Sequence, residues 1–208
     1  QGQYQKRKRY YFDNNYRIIT TSNDNYLKQI DQQSNISSNE LNNDIFERMN
    51  NIQSKSCMGH LRYSTSGSTI KNGLLKRAEL QPIRGFDHYS SAPFYIAHNG
   101  NIPNIKKHDT TYIKNLLEND KNTMENKLIK LINEIPAAFS IILLTHNNVI
   151  YAIRDRFGIR PMCIGQDADK YYISSESCAF NNNVNYLRDV KPGELIRIDD
   201  SGLHSIYI

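Results

Sequence analysis

Two observations predict a mixed α+β protein: strongly apolar strands arranged as hairpins, and helical periodicity confined to the middle of the chain. Ala137 to Thr145, AAFSIILLT, is a continuous apolar run that His146-Asn147-Asn148 turns into Val149 to Arg154, giving a β-hairpin of core strands. Ahead of it, Leu128, Leu131, Ile132 and Ile135 recur at helical spacing within Glu125 to Ile135, and Pro136 stops the pattern. No internal repeat is present.

The remaining elements follow in order. Gln1 to Asn15 is basic and aromatic without periodicity, which makes it a tail or an irregular first element. Tyr16 to Thr21 is β-branched and reads as a strand closed by Ser22-Asn23-Asp24-Asn25. Leu41, Ile45, Met49 and Ile52 space out a short amphipathic helix within the polar stretch from Tyr26 to Gln53. Met58 to Thr65, MGHLRYST, alternates as a strand with Arg62 on its more polar face, where a surface ion pair is the ordinary role. Ser66-Gly67-Ser68 breaks that strand, Lys71 to Arg84 is a basic loop, and Gly85 to Ala92 is a further loop.

Phe94 to Ala97 then forms a short buried strand, and His98 to Asn101 reads as a turn containing Asn-Gly. Such a turn can be plain punctuation. Two neutral donors converging at a strand end, the Asn amide and the Gly N–H, also suit an oxyanion. Asp109 has the ordinary reading of an N-cap for a helix that includes Tyr112 to Leu117. Beyond the core hairpin, Asp155 to Pro161, DRFGIRP, is a turn with its Gly and Pro at structural points. Met162 to Gly165 pairs with Tyr171 to Ser174, Ser175 to Phe180 starts a short helix, and Gly193 to Ile198 and His204 to Ile208 are closing strands.

Composition narrows the class. At 208 residues, 38% hydrophobic and 23% charged, the chain suits a single globular domain with a substantial core. Its mean hydropathy of -0.65 reflects Asn-, Ser- and Gln-rich padding rather than charge. The net charge of +5 is concentrated in places such as Lys6 to Arg9, which reads as a solvated tail or a contact for an acidic partner in preference to a nucleic-acid site. Three cysteines without paired spacing suggest neither a disulfide framework nor a zinc site, and favour a reducing intracellular compartment, the cytoplasm or an organelle. No apolar run is long enough for a membrane helix, and the first residues do not resemble a secretory signal.

Three segments fall into one pattern. GHLRYSTSG at Gly59 to Gly67, HNGNIPN at His98 to Asn104, and RDRFGIRP, SSESCAF and RDVKPGEL between Arg154 and Leu195 resemble the glutaminase domain of amidophosphoribosyltransferases, in the family's order. These are class II glutamine amidotransferases of the N-terminal nucleophile hydrolase type. The resemblance implies a four-layer α/β/β/α sandwich over residues 16–208 with its first strand missing, and residues 1–15 as a tail or a remnant of the first element. It also implies roles. Arg62 would hold the glutamine α-carboxylate with its planar fork. Thr65 would line the same pocket, Asp109 would take the α-ammonium, and Asn99 and Gly100 would form the oxyanion hole. No metal or cofactor is implied.

Departures from the pattern shape the functional expectation. The family's nucleophile is a Cys at the mature N-terminus whose own α-amine acts as base, whereas position 1 here is Gln1. Cys57, Cys163 and Cys178 read as core thiols. Gly2-Gln3 is either a remnant of the family's Arg-Gly-Gln motif or unrelated to it, the segment between HNGN and Asp109 is short, and Thr111 stands where the family has Glu. The resemblance covers the glutaminase part of the family's pattern and not its phosphoribosyltransferase part. The expectation is therefore a non-catalytic, structural or regulatory glutaminase-like module with a protein partner or in an oligomer, with Lys6 to Arg9 and Lys71 to Arg84 as contacts. The alternative is the glutaminase portion of an active enzyme whose Cys and synthase domain lie outside these residues, supplying ammonia for purine biosynthesis.

Overall fold

The computed structural model describes residues 16–22, 27–32, 54–61, 81–105 and 108–208. Expectations for Lys6 to Arg9, the helix at Leu41 to Ile52, Arg62, Thr65, Ser66-Gly67-Ser68 and residues 71–80 lie outside the described residues.

The chain divides into two compact units, Gln1–Ile83 and Arg84–Ile208. In the first, β1 (Tyr16–Ser22) lies between β2 (Leu27–Gln32) and β3 (Ser54–Leu61), antiparallel to both, with Ile18 opposite Ile30 on one side and Gly59 on the other. The strand at β1 was legible from its β-branched residues. β2, with the sequence LKQIDQ, was not, because it lacks any apolar alternation.

The second unit is built on a sheet that includes β4 (Ile83–Asp87), β5 (Ala92–Asn101), β6 (Ala138–Thr145), β7 (Ile150–Arg154), β11 (Glu194–Asp199) and β12 (Gly202–Tyr207), in the order β12-β11-β7-β6-β5-β4. Between β5 and β6 the chain forms helices α1 (Asp109–Asn119) and α2 (Met124–Glu134). Thr123 caps α2 by accepting the Asn126 N–H, and α1 packs against β5. A second sheet, β10-β8-β9, comprises β8 (Cys163–Asp167), β9 (Lys170–Ser174) and β10 (Asn185–Asp189). Residues 177–179 make a 3-10 turn where a short helix start was expected.

Pairing register assigns the faces. Ile142, Ala152 and Ile196 lie in one row across β6, β7 and β11, and with Met162, Ile164 and Val190 they make the core between the two sheets. The neighbouring row, His98, Ile141, Ile153 and Leu195, points to the opposite face, where all four are buried. With both faces of β6 covered, its continuous apolar run is explained.

The expected loop at Gly85 to Ala92 is corrected: β4 runs to Asp87 with alternating burial, and only 88–91 turn. Gly85 hid this strand. Its missing side chain is required because the Phe94 ring lies across it, and a Cβ there would stand 2.3 Å from Phe94 Cζ. β10 escaped notice because its side chains are mostly exposed; it is held by its ladder with β8 and by Arg188, which grips the fully buried Glu194 through two bonds of 2.8 Å.

Candidate functional site

The stretch His98 to Asn101 is the end of β5, not a turn. Asn99 pairs with Ser140, Gly100 with Phe139 and Asn101 with Ala138, and the chain turns only at Pro103-Asn104, where Asn104 adopts φ +65. The correction has a physical cause. β6 supplies backbone partners as far as Ala138, and a continued ladder outcompetes a local Asn-Gly turn. Gly100 is needed for close approach instead: a Cβ would lie 2.3 Å from the Ala138 carbonyl oxygen, 2.8 Å from His98 Nε2 and 2.9 Å from Phe139 Cα.

Hydrogen-bond parity directs the Gly100 amide. Asp155 N–H donates to the Phe139 carbonyl at 2.9 Å, and Thr145 N–H to Val149 at 3.0 Å, so the odd-numbered residues of β6 turn their backbone groups toward β7. Gly100 and Phe139 are thus a non-hydrogen-bonded pair, and the Gly100 N–H points away from β6. On that side β4 is five residues long and turns back at 88–91, so it flanks the Ala92 half of β5. The Asn99–Asn101 half is a sheet edge among the described residues. Asn99 is exposed there, on the face opposite to His98.

Asp109 is likewise placed differently from the N-cap expectation. It is the first residue of α1, the cap position is His108, and the Asp109 carboxylate accepts the Ile102 N–H at 2.9 Å. This bond ties the helix start to the chain leaving β5, and puts a carboxylate at a positive helix end. Arg62 and Thr65 lie outside the described residues; of the expected set the structure places Asn99 and Gly100 on the end of β5 and Asp109 at the start of α1, tied by its Ile102 bond to the chain leaving that strand.

His98 was not singled out as a site residue and stands among these groups, 5% exposed. Burial pulls its pKa down to about 4; the Asp109 carboxylate opposes that shift, while His108 and Arg160 add to it. The ring is neutral at pH 7. Between the ordinary imidazole value of 6.5 and about 4, the unfolded chain binds a proton that the folded chain refuses. Stability should therefore fall on acidification across that window, by about 3 kcal/mol at pH 4. Urea denaturation at pH 7 and at pH 4.5 measures it, and His98→Phe should flatten the difference.

The DRFGIRP turn braces the same strand end. Asp155 is fully buried; its carboxylate accepts the N–H groups of Phe157, Ile159 and Arg160 at 3.0 to 3.1 Å. Arg154 donates to the carbonyls of Gly158, Arg160 and Val190, each at 2.7 Å. Gly158, at φ +65, lets Pro192 pack close against it. The acid among arginines was the signal for this brace in the sequence, and only its Gly and Pro were weighed.

None of the three cysteines belongs to β5 or α1. Cys163 is buried on β8 with its pKa pushed up to about 11, by burial first and by Asp189 next. Cys57 on β3 and Cys178 in the 3-10 turn are exposed.

The sheet end carrying Asn99-Gly100 and the helix start carrying Asp109 thus lie in one α+β unit of two packed sheets. A family model described as "Glutamine amidotransferase domain" matches residues 72–182, just over half of the chain, and the chain belongs to this family. Among its relatives, the amidophosphoribosyltransferase of Bacillus subtilis is 28% identical over 76% of this chain and 35% of its own length. That of Methanocaldococcus jannaschii is 30% identical over 78% and 37%, and the chloroplastic enzyme of Glycine max 28% over 91% and 34%. The chain spans about a third of the length of the curated relatives it matches.

Solved structures agree on the fold. One titled as the allosteric regulatory enzyme of purine biosynthesis superimposes with a TM-score of 0.75 at 24% identity, covering 94% of this chain and 43% of that one. The glutamine phosphoribosylpyrophosphate amidotransferase of B. subtilis gives 0.73, with the same identity and coverage. The α+β fold is thus that of the N-terminal nucleophile hydrolase amidotransferases.

Proposed function

We propose that these residues form a glutamine-binding module of the amidophosphoribosyltransferase type, which on its own binds glutamine without hydrolysing it and serves a larger assembly as a structural or regulatory part. The observation that carries the glutamine reading is the outward Gly100 N–H at a sheet edge, tethered through Ile102 to Asp109. Asp109 would receive the α-ammonium, Arg62 the α-carboxylate and Thr65 the pocket wall, which fixes the side-chain amide toward Asn99 and Gly100. Binding without turnover rests on the thiols. None of the three cysteines stands on β5 or on the segment joining it to α1, and the buried Cys163 is held in its unreactive protonated form.

A second reading is supported by the same outward Gly100 N–H beside Asn99, donors that would hold an amide oxygen and would stabilise the oxyanion formed from it as well. Here the domain is the glutaminase portion of an amidophosphoribosyltransferase, and a thiol from outside these residues attacks the amide to release ammonia for purine synthesis. An intracellular setting, cytoplasmic or organellar, fits both readings; one relative is a chloroplastic enzyme.

Calorimetry with glutamine tests the pocket. Arg62→Ala should weaken binding by about a hundredfold, because a zwitterion loses its paired carboxylate contact. Absence of any binding heat from the unaltered protein would overturn the glutamine reading. Ammonia release by the 208-residue chain should stay at background, and robust turnover would replace the first version with the second.

A further inference from the structure

His98 and Gly100 are two residues apart on β5 and share one face, the face on which α1 packs. The imidazole leans along the strand so that Nε2 comes within 2.8 Å of the place a Gly100 side chain would occupy, while the Ala138 carbonyl and Phe139 Cα close in from β6. The ring is thereby the filler that a larger residue at position 100 would otherwise supply. Asn99 stands on the opposite face and does not compete for that space.

We propose that His98 is a positioning residue: its imidazole backs Gly100 and fixes the Gly100 peptide so that its N–H faces the sheet edge where an oxyanion would form. The inference rests on the glutamine reading of that edge, although the mechanical coupling does not. Two features support it beyond the contact itself. First, the edge half of β5 has no strand beyond it among the described residues, so the direction of the Gly100 peptide depends on what packs behind it. Second, the groups facing the ring are His108 just before α1, Asp109 at its start, and Arg160 in the DRFGIRP turn. Burial, aided by His108 and Arg160, keeps the ring uncharged against the pull of the Asp109 carboxylate, so that it packs as a neutral filler behind Gly100.

The test follows the Gly100 amide by NMR in the unaltered chain. Its chemical shift should titrate with the His98 ring, with a midpoint near the His98 value of about 4, and the step should vanish in His98→Phe, which fills the space without titrating. His98→Phe leaves every other group around the strand end in place, so the difference between the two proteins belongs to the ring. In parallel, His98→Ala should weaken glutamine binding about tenfold and His98→Phe should restore most of it. A Gly100 amide unmoved by His98 titration and by His98→Phe overturns the inference. So does full glutamine affinity in a folded His98→Ala protein. If no form binds glutamine and the amide still follows the ring, the glutamine reading fails while the positioning of Gly100 stands.

Discussion

Lys127→Met should destabilise the second unit by about 3–5 kcal/mol, the cost of leaving one partner of a buried ion pair uncompensated. Lys127 is 2% exposed on α2, and its Nζ lies 2.5 Å from Oδ1 of Asp87, 4% exposed at the end of β4. Burial alone would push the Asp87 carboxyl up. Lys127 and Ser90, helped by the Tyr89 N–H, bring it net below the usual carboxylate value. Methionine keeps the stem and removes the charge, so the carboxylate keeps only neutral donors. Urea denaturation reads the loss. The sign with pH is fixed: the pair contributes above the unfolded carboxyl value and is lost as acid protonates Asp87, so the gap between variant and parent should close on acidification. A gap that stays constant with pH would mean that the loss is one of packing, not charge. The pair adjoins a cavity of about 160 Å3 bordered by Asp87, Met124 and Tyr151, at the opposite end of β5 from Asn99 and Gly100. Glutamine affinity in the folded variant should therefore be unchanged.

What could be read in advance depended on how local the cause was. The hairpin of β6 and β7 was legible because both faces of β6 are covered and its composition says so. α2 was legible from its spacing, with Pro136 marking the stop. Asn99-Gly100 was misread as a turn because turn chemistry is visible in two adjacent residues, whereas the competing partner, Ala138 to Ser140, lies some forty positions away. Asp109 was misjudged by one position for a similar reason: the Ile102 amide that engages it belongs to the preceding segment, not to the helix. β4, β2 and β10 were missed because each lacks the apolar alternation that marks a half-buried strand, β4 through its glycine and the others through their polarity.

The roles proposed for Asn99, Gly100 and Asp109 rest on motif resemblance, and no periodicity could have supplied them. Geometry adds a constraint on Gly100. Gly100 is forced by the closeness of β6 and His98, and its amide is turned outward by the parity of a ladder whose phase is set at Thr145 and Asp155. The direction of one donor is thus decided by hydrogen bonds made on the far side of β6.

That dependence makes Asp155 the second position of large effect. Asp155→Ala should cost about 3–5 kcal/mol, since three backbone N–H groups lose their acceptor in a turn whose centre is fully buried. Asp155→Asn should cost less but still be destabilising: its amide can present one oxygen where the carboxylate presents two, and Phe157 and Ile159 use Oδ1 while Arg160 uses Oδ2. Loss of the turn also releases its brace on the site. The Asp155 N–H holds the Phe139 carbonyl, and Phe139 stands opposite Gly100. Glutamine binding by the folded Asp155→Asn protein should consequently weaken, and amide exchange should quicken together at Phe157, Ile159 and Asn99, whose N–H is the one that parity directs into the ladder with Ser140. Faster exchange confined to Phe157 and Ile159, with glutamine affinity intact, would show that the turn is held independently of the strand end. Arg154→Lys tests the same coupling from the other side of the turn, because an ammonium cannot span the carbonyls of Gly158, Arg160 and Val190 as the guanidinium does. It should loosen the turn and quicken Asn99 exchange as Asp155→Asn does.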